Sequence, residues 1–304
     1  MRSLLLAGLA VISTSVWGMI PNNPNENSEN NMRNISQISE NPEKNERKDN
    51  LLIIVKREID LKLPVTKDVL EYLLDWKNRR PCSSDVLDKR TEGIKRVEER
   101  RLELIGEFEK TSEQNLLFFA AKHGFLNLAQ QLIEEGAGVN KENDNRETPL
   151  FDACYKGNLD VVKCLVKHSA NVNKENNDGK TPLFDACWDG NLDVVKCLVK
   201  HGADVNKENR GGDRDRKTPL FDACDRGSLE IVKCLVEHGA NVNKVDRNGR
   251  TPLFSACQEG KIKIVKYLVE QGADVNKVDR NGRTPLLYGR GHIVRYLEKH
   301  GAHK

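Results

Sequence analysis

Residues 181–206 read TPLFDACWDGNLDVVKCLVKHGADVN, and the order of residue types describes one folding unit. Thr181 is placed to cap a helix with its hydroxyl, and Pro182 suits the first helical position, where no intrahelical N–H is needed and φ is already set. Leu183, Phe184, Ala186 and Cys187 make the apolar side of a short helix that Gly190 ends in a tight turn. Leu192, Val194, Val195, Cys197, Leu198 and Val199 then fill a second helix. It is apolar over much of its surface, as expected where neighbours cover both sides. His201 falls in the last turn, where positive charge suits the helix dipole, and Gly202 can take the left-handed C-cap conformation. Asp204-Val205-Asn206 leads into an extended connection, and the equivalent tip Asp246-Arg247-Asn248-Gly249 is a strong hairpin-turn signal.

The unit recurs. Thr-Pro-Leu starts at 148, 181, 218, 251 and 284, with spacings of 33, 37, 33 and 33 residues. Asn115–Asn140 keeps the frame without Thr-Pro: LLFFAAKHG aligns with PLFDACYKG, and GAGVN with SANVN. Full copies therefore occupy about 115–147, 148–180, 181–217, 218–250 and 251–283, followed by a short copy at 284–304. No copy can bury its own apolar faces, so the copies must stack into one continuous core. The first copy is expected to act as an N-terminal cap and the last, four residues shorter, as a degenerate C-terminal cap.

The period and the residues Thr-Pro-Leu, Ala-Cys, Gly-Asn-Leu, Val-Val-Lys-Cys-Leu-Val and His-Gly-Ala-Asp-Val-Asn resemble the ankyrin repeat family over about 115–304. The resemblance implies an all-α repeat fold, an ankyrin solenoid of paired short helices with β-hairpin fingers, here preceded by a small helical region. Departures from the family pattern carry expectations of their own. Phe151, Phe184, Phe221 and Phe254 stand where the family usually has a His tied into inter-repeat hydrogen bonds, so an apolar column should replace a polar one. Ser169 replaces a C-cap Gly, at a cost of about 1 kcal/mol if φ is positive there. Asn145-Arg146-Glu147 lacks the turn Gly, which predicts a finger of different shape. Four extra residues lie within RGGDRDRK between Asn206 and Thr218, and such insertions emerge on the loop face.

Upstream of the repeats, residues 1–20 (MRSLLLAGLAVISTSVWGMI) have a basic start, an uncharged apolar run and a small residue at Gly18, the pattern of a secretory signal peptide. A secreted or periplasmic destination follows; the alternative is an uncleaved membrane anchor, for which the apolar run is short. Residues 21–50 contain ten Asn and three Pro and read as a disordered linker; Asn34-Ile35-Ser36 matches a glycosylation acceptor. In 51–112, LLIIVKREIDLKL fits helix or strand. Thr66 can cap a helix carrying Val69, Leu70, Leu73, Leu74 and Trp76, which Pro81 ends. A charged helix from Ser83 or Ser84 sets Ile94, Val97, Leu102, Ile105 and Phe108 near one face. This region is expected to be a small helical subdomain packed on the first repeat rather than a coiled coil.

Charged residues make up 31% of the 304, yet the net charge is only +3, which argues against a nucleic-acid binder. Cysteines 154/164, 187/197 and 224/234 pair at ten-residue spacing, one on each helix of a copy. No Cys-x-x-Cys occurs, and equivalent Cys in adjacent copies should lie ~8–10 Å apart, beyond disulfide reach. They read as small buried hydrophobes, with a bridge inside a copy left open. His168, His201, His238 and His300 recur at helix ends, a structural position. No phosphate loop, nucleophile elbow or metal-binding His-Glu pattern is present. The expectation is a non-enzyme without cofactor or metal, monomeric, with no membrane span after signal cleavage. Enzyme or toxin activity in 51–112 and a structural envelope role are the competing readings.

Positions that vary between copies mark the surface free to specialise. After Ala-Cys these are Tyr155-Lys156, Trp188-Asp189, Asp225-Arg226 and Gln258-Glu259, which by resemblance end the first helix and face the concave groove. Lys180, Lys217, Arg250 and Arg283 precede each Thr on the same side, with Arg247 and Arg280 at finger tips. The resemblance thus implies a groove for an unknown protein partner, with Trp188 as its aromatic anchor. An export signal joined to such an array is similar to proteins that host-associated bacteria direct at host targets.

Overall fold

Each 33-residue unit folds as two antiparallel short helices followed by a turn-rich finger. The computed structural model describes residues 42–63, 84–210 and 216–303. Its helices are α1 (Pro42–Lys62), α2 (Ser84–Lys110), α3 (Leu116–His123), α4 (Leu126–Glu134), α5 (Pro149–Tyr155), α6 (Leu159–Lys167), α7 (Pro182–Asp189), α8 (Leu192–Lys200), α9 (Pro219–Arg226), α10 (Leu229–Glu237), α11 (Pro252–Gln258), α12 (Ile262–Glu270) and α13 (His292–Lys299). Inner helices α3, α5, α7, α9 and α11 pack on one another in succession, as do outer helices α4, α6, α8, α10, α12 and α13. In the last copy the inner helix shrinks to a 3-10 turn, Pro285–Leu287.

The core is the expected one. Leu150, Leu183, Leu220 and Leu253 are wholly buried, and so, to within a few per cent, is the column Phe151, Phe184, Phe221 and Phe254. Asn ladders join the copies. Asn173 donates to Gly202 O (2.9 Å) and accepts from Asp204 N (2.8 Å); Asn206 does the same with Gly239 O and Asn241 N (both 2.8 Å). Asn140, Asn243 and Asn276 repeat this pattern. On the other side, Asn158 and Asn191 donate to carbonyls at the end of the preceding inner helix, Ala121 O (2.8 Å) and Cys154 O (3.1 Å). The Asn that closes each Val-Asn therefore satisfies backbone groups of the following copy that would otherwise be left without partners.

Several expectations need correction. No strand is present among the described residues, so the fingers are not β-hairpins. The four fully described fingers each close through two backbone bonds, such as Asp246 N to Arg250 O (2.9 Å) and Gly249 N to Asp246 O (3.0 Å), and adjacent fingers join through one, such as Arg280 N to Asn248 O (2.8 Å). That is too short a ladder to make a strand. The side chain at the finger base holds the turn: Asp246 Oδ1 accepts from Asn248 N (2.8 Å) and Arg250 N (2.9 Å), an Asx turn. The finger without Gly keeps this same shape, because Arg146 adopts φ 61° while Asn143 Oδ1 accepts from Asn145 N and Glu147 N. Ser169 does take a left-handed φ of 66°. The four-residue insertion leaves its finger base closed, with Asn209 N to Lys217 O at 3.0 Å; residues 211–215 lie outside the described part.

The Thr caps also differ from expectation. Thr148, Thr181, Thr218 and Thr251 make no side-chain capping bond. The backbone takes over that task, as when Phe184 N donates to Thr181 O (3.0 Å). The hydroxyls of Thr148, Thr181 and Thr251 are buried without a hydrogen-bond partner.

The N-terminal region is helical on both sides of its gap. Helix α1 begins at Pro42, inside the stretch read as a linker, because PEKNERKD carries a Pro at N1 followed by strong helix formers. Leu51, Val55 and Ile59 of α1 and Leu104 and Phe108 of α2 are buried in the same core as the first copy, with Phe108 5.7 Å from Phe119. On α2 the seam runs through Leu104 and Phe108, whereas Leu102, expected on it, is 64% exposed. The array's N-terminal end is thus covered by α1 and α2, and the first copy is an interior repeat rather than a cap. Glu58 reaches the start of α4, accepting from Asn127 N (2.6 Å), and Lys62 donates to His123 O (2.8 Å) at the end of α3. The signal peptide, the rest of the linker, the segment from Thr66 to Pro81 and the side chain of Ile94 lie outside the described residues.

Candidate functional site

The ends of the inner helices and the finger bases line one face. Tyr155 and Trp188 are 44% and 43% exposed, the two exposed aromatics among the described residues. Both carry a neighbouring cation: the Arg226 guanidinium lies 4.5 Å from the Trp188 ring centre and the Lys156 ammonium 4.7 Å from that of Tyr155. Arg226 Nε also donates to the Trp188 carbonyl, so cation and ring are held as one unit across two copies. Such stacking stabilises by about 0.5–1 kcal/mol at an exposed site and orders the indole before any partner arrives.

The other expected residues divide into held and outward-facing groups. Lys217 pairs with Asp225 at 3.2 Å, and Arg250 pairs with Asp246 at 2.8 Å, a contact internal to its own finger. Lys180 is half-buried, with its backbone N–H given to Asn176 Oδ1. Asp189 accepts from Asn191 Nδ2 (3.0 Å). Gln258, Glu259, Arg247, Arg280 and Arg283 are exposed; Arg280 is anchored through its backbone to Asn248, and Arg283 through its own to Asp279.

The sequence reading missed a row of carboxylates beside these residues. Asp152, Asp185 and Asp222 hold the same frame position on α5, α7 and α9, three residues before Tyr155, Trp188 and Asp225. Burial pushes the Asp152 carboxyl up to about 6, with Glu147 adding to the rise, and burial pushes Asp185 up to about 7, with Glu147 and the other two aspartates raising it further. The signal was available: Asp recurs in TPLFDAC three times, whereas a solvent-facing position would be expected to vary.

The cysteines and histidines are structural. All seven described Cys are free thiols. Burial pushes Cys154, Cys187 and Cys224 well above the usual thiol range and Cys257 up to about 12, so thiolate chemistry is suppressed. His168, His201, His238 and His300 each bring Nδ1 within 2.7–2.8 Å of the carbonyl four residues back. A carbonyl only accepts, so Nδ1 carries the proton and each ring caps its helix. Among the described residues no three metal-ligating side chains come together, and no helix is long and apolar enough to cross a membrane.

Comparison with known proteins agrees with this geometry. A family model for ankyrin repeats (three copies) matches residues 117–209 and 207–279. The crystal structure of the human ASB11 ankyrin repeat domain is similar at 31% identity and a TM-score of 0.56, over 62% of this chain and 84% of that one. No curated protein matches the chain. With paired helices stacked in register and a family model spanning more than half its length, the chain belongs to the ankyrin repeat family.

Proposed function

We propose that this chain is an exported scaffold that holds a partner protein across its inner face, with Trp188 at the centre of the contact and Tyr155 beside it. Ankyrin repeats mark the chain as a protein–protein interaction scaffold, a fold that typically carries no enzyme activity. The observation that carries the finer reading is the Trp188–Arg226 stack. A large aromatic stays 43% exposed in an array that buries its Phe column, and a neighbouring copy's Arg fixes its orientation. Trp, Tyr and Arg are the side chains that most often dominate interface energies, and pre-ordering them lowers the entropic cost of binding. Leu51, Val55 and Ile59 of α1 and Leu104 and Phe108 of α2 are buried in one core with the first repeat, which favours a supporting role for that region over a separate activity. Export, and with it a host-directed role, rests on the apolar N-terminal run after Arg2.

The test compares capture by the full chain with capture by Trp188→Ala and by an outer-helix control, Lys196→Ala. Partners held through the inner face should be lost from the first variant, with at least tenfold weaker binding, and kept by the second. Equal capture by all three would remove the inner face from consideration. N-terminal sequencing of protein recovered outside the cell tests export: a start beyond residue 15 supports it, and a retained Met1 overturns cleavage.

A further inference from the structure

We propose that the last finger, residues 277–283, is a docking point for an acidic segment of a partner protein, one that also carries an apolar side chain. The proposal rests on the reading of the chain as a scaffold for a protein partner, and it names the chemistry of one end of that contact.

Along the earlier fingers the lysines are paired. Lys174 pairs with Glu142 of the preceding finger, Lys207 with Glu175 (2.5 Å) and Lys244 with Glu208 (2.7 Å). Lys277 is next in that row, but the preceding finger has Val245 where the others have Glu, and among the described residues no carboxylate pairs with Lys277. A second pair is lost for a different reason. Arg250 gives Nε and Nη2 to Asp246 Oδ2 (3.0 and 2.8 Å). In the last finger Asp279 holds the place of Asp246, and its Oδ1 accepts from Asn281 N and Arg283 N (2.8 and 2.9 Å). Its Oδ2, however, accepts from the Tyr288 hydroxyl (2.9 Å), which fills the place of the arginine. The Arg283 guanidinium is felt at Asp279 through charge alone, and Arg283 is exposed where Arg250 is half-buried. Arg280, at the tip, is held only by its backbone N–H, and its side chain is exposed.

Three cations without a hydrogen-bonded carboxylate therefore share one finger, whose single acidic side chain is the buried Asp279. An incoming carboxylate has no internal pair to displace here, unlike at Lys244 or Arg250. Val278 beside them is 52% exposed, and Leu287, next to the Tyr288 that fills Asp279, is 56% exposed. Charge complementarity selects carboxylates, and the two open apolar side chains select a segment that brings an apolar side chain with them. A nucleic acid fits less well. Three cations on one finger are a short track for a phosphate backbone, and the exposed aromatics that could stack on bases, Tyr155 and Trp188, stand on other copies.

The experiment titrates a fluorescein-labelled peptide, Glu-Glu-Leu-Glu-Glu-Leu-Glu-Glu, with the full chain and follows its anisotropy at low and high salt. Binding should weaken as salt rises, and Arg280→Ala combined with Arg283→Ala should weaken it at least about tenfold. Tyr288→Phe keeps the ring and frees Asp279 Oδ2 to take Arg283 as Asp246 takes Arg250, so binding should fall about threefold with no charge changed. Val245→Glu, which restores the missing partner of Lys277, should weaken it as well. Lys263→Ala combined with Lys299→Ala, an equal loss of charge from exposed outer-helix positions, should leave it within about twofold. Equal affinity for wild type and the double arginine variant would overturn the proposal, as would an equal loss in the double lysine variant. Unchanged affinity in Tyr288→Phe would overturn the release of Arg283 by that hydroxyl. Tighter binding of a thymidine oligonucleotide or of phosphatidylserine vesicles than of the peptide would overturn the choice of a protein segment. The probe is a defined peptide, so failure here leaves the Trp188 contact standing, and loss of capture by Trp188→Ala leaves this result standing.

Discussion

Replacing Thr181 by Val should make the protein more stable, against the usual rule that a helix-capping Thr is costly to lose. The Thr181 side chain is 1% exposed and its hydroxyl has no partner. Its capping value is already zero, because no side-chain bond reaches the first turn of α7 and the free N–H of Phe184 goes to the Thr181 carbonyl, which Val retains. Val matches Thr in shape and β-branching, so the extended backbone at φ −105°, ψ 165° needs no adjustment. What changes is the removal of a buried, unsatisfied hydroxyl, whose desolvation costs about 1–3 kcal/mol. The expected gain is about 1–2 kcal/mol, read as a higher urea midpoint at unchanged slope. Thr148→Val and Thr251→Val should behave alike. Thr284→Val is the internal control: that hydroxyl donates to His303 O at 3.4 Å, so its replacement should be neutral or mildly destabilising. A loss of more than about 0.5 kcal/mol on Thr181→Val would show that the hydroxyl is satisfied after all.

Two further outcomes test the fold. Ser169→Gly should raise stability by about 0.5–1 kcal/mol, because Ser169 holds φ 66°, and thermal melting checks it; no shift in midpoint would mean that this turn is not strained. Phe108→Ala should cost about 3–5 kcal/mol, since the ring is wholly buried between α2 and the first repeat, and should open α1 and α2 to limited proteolysis before the repeats are cut; unchanged protease resistance would show that these helices do not depend on that contact.

The repeat array could be read from sequence because its rules are local and written five times over. Pro after Thr starts α5, α7, α9 and α11, Gly or Ser169 takes the left-handed turn after each outer helix, and Val-Asn closes every full copy in a fixed position. Features that depend on what lies opposite were harder to see. Leu102 and Leu104 of α2 are equally apolar, and only the position of the first repeat decides that Leu104 is buried while Leu102 faces out. The Asn-rich composition of 21–50 concealed the start of α1 at Pro42, although the Pro itself was a helix-start signal. Of the candidate face, the aromatic pair could be picked out because it varies between copies. That Arg226 would stack on Trp188, and that Arg250 would be tied to Asp246 within its own finger, are facts about neighbours.

The same distinction explains the aspartate row and the orphan hydroxyls together. A single Asp in TPLFDAC looks like an ordinary polar position on a short helix, and it becomes costly only when the next copy stacks over it. A single Thr looks like a cap and becomes an orphan, as at Thr148, Thr181 and Thr251, only once its copy is buried in the stack. Both costs come from stacking, and both are offset by it, because each interface also adds an Asn ladder and fully buried Leu and Ala side chains. A repeat protein can therefore carry an unfavourable polar group in several of its units, provided the interface that buries it contributes more than the group costs. Unexplained polar repetition inside an apolar frame is then a place to look for function, since packing alone would have removed it.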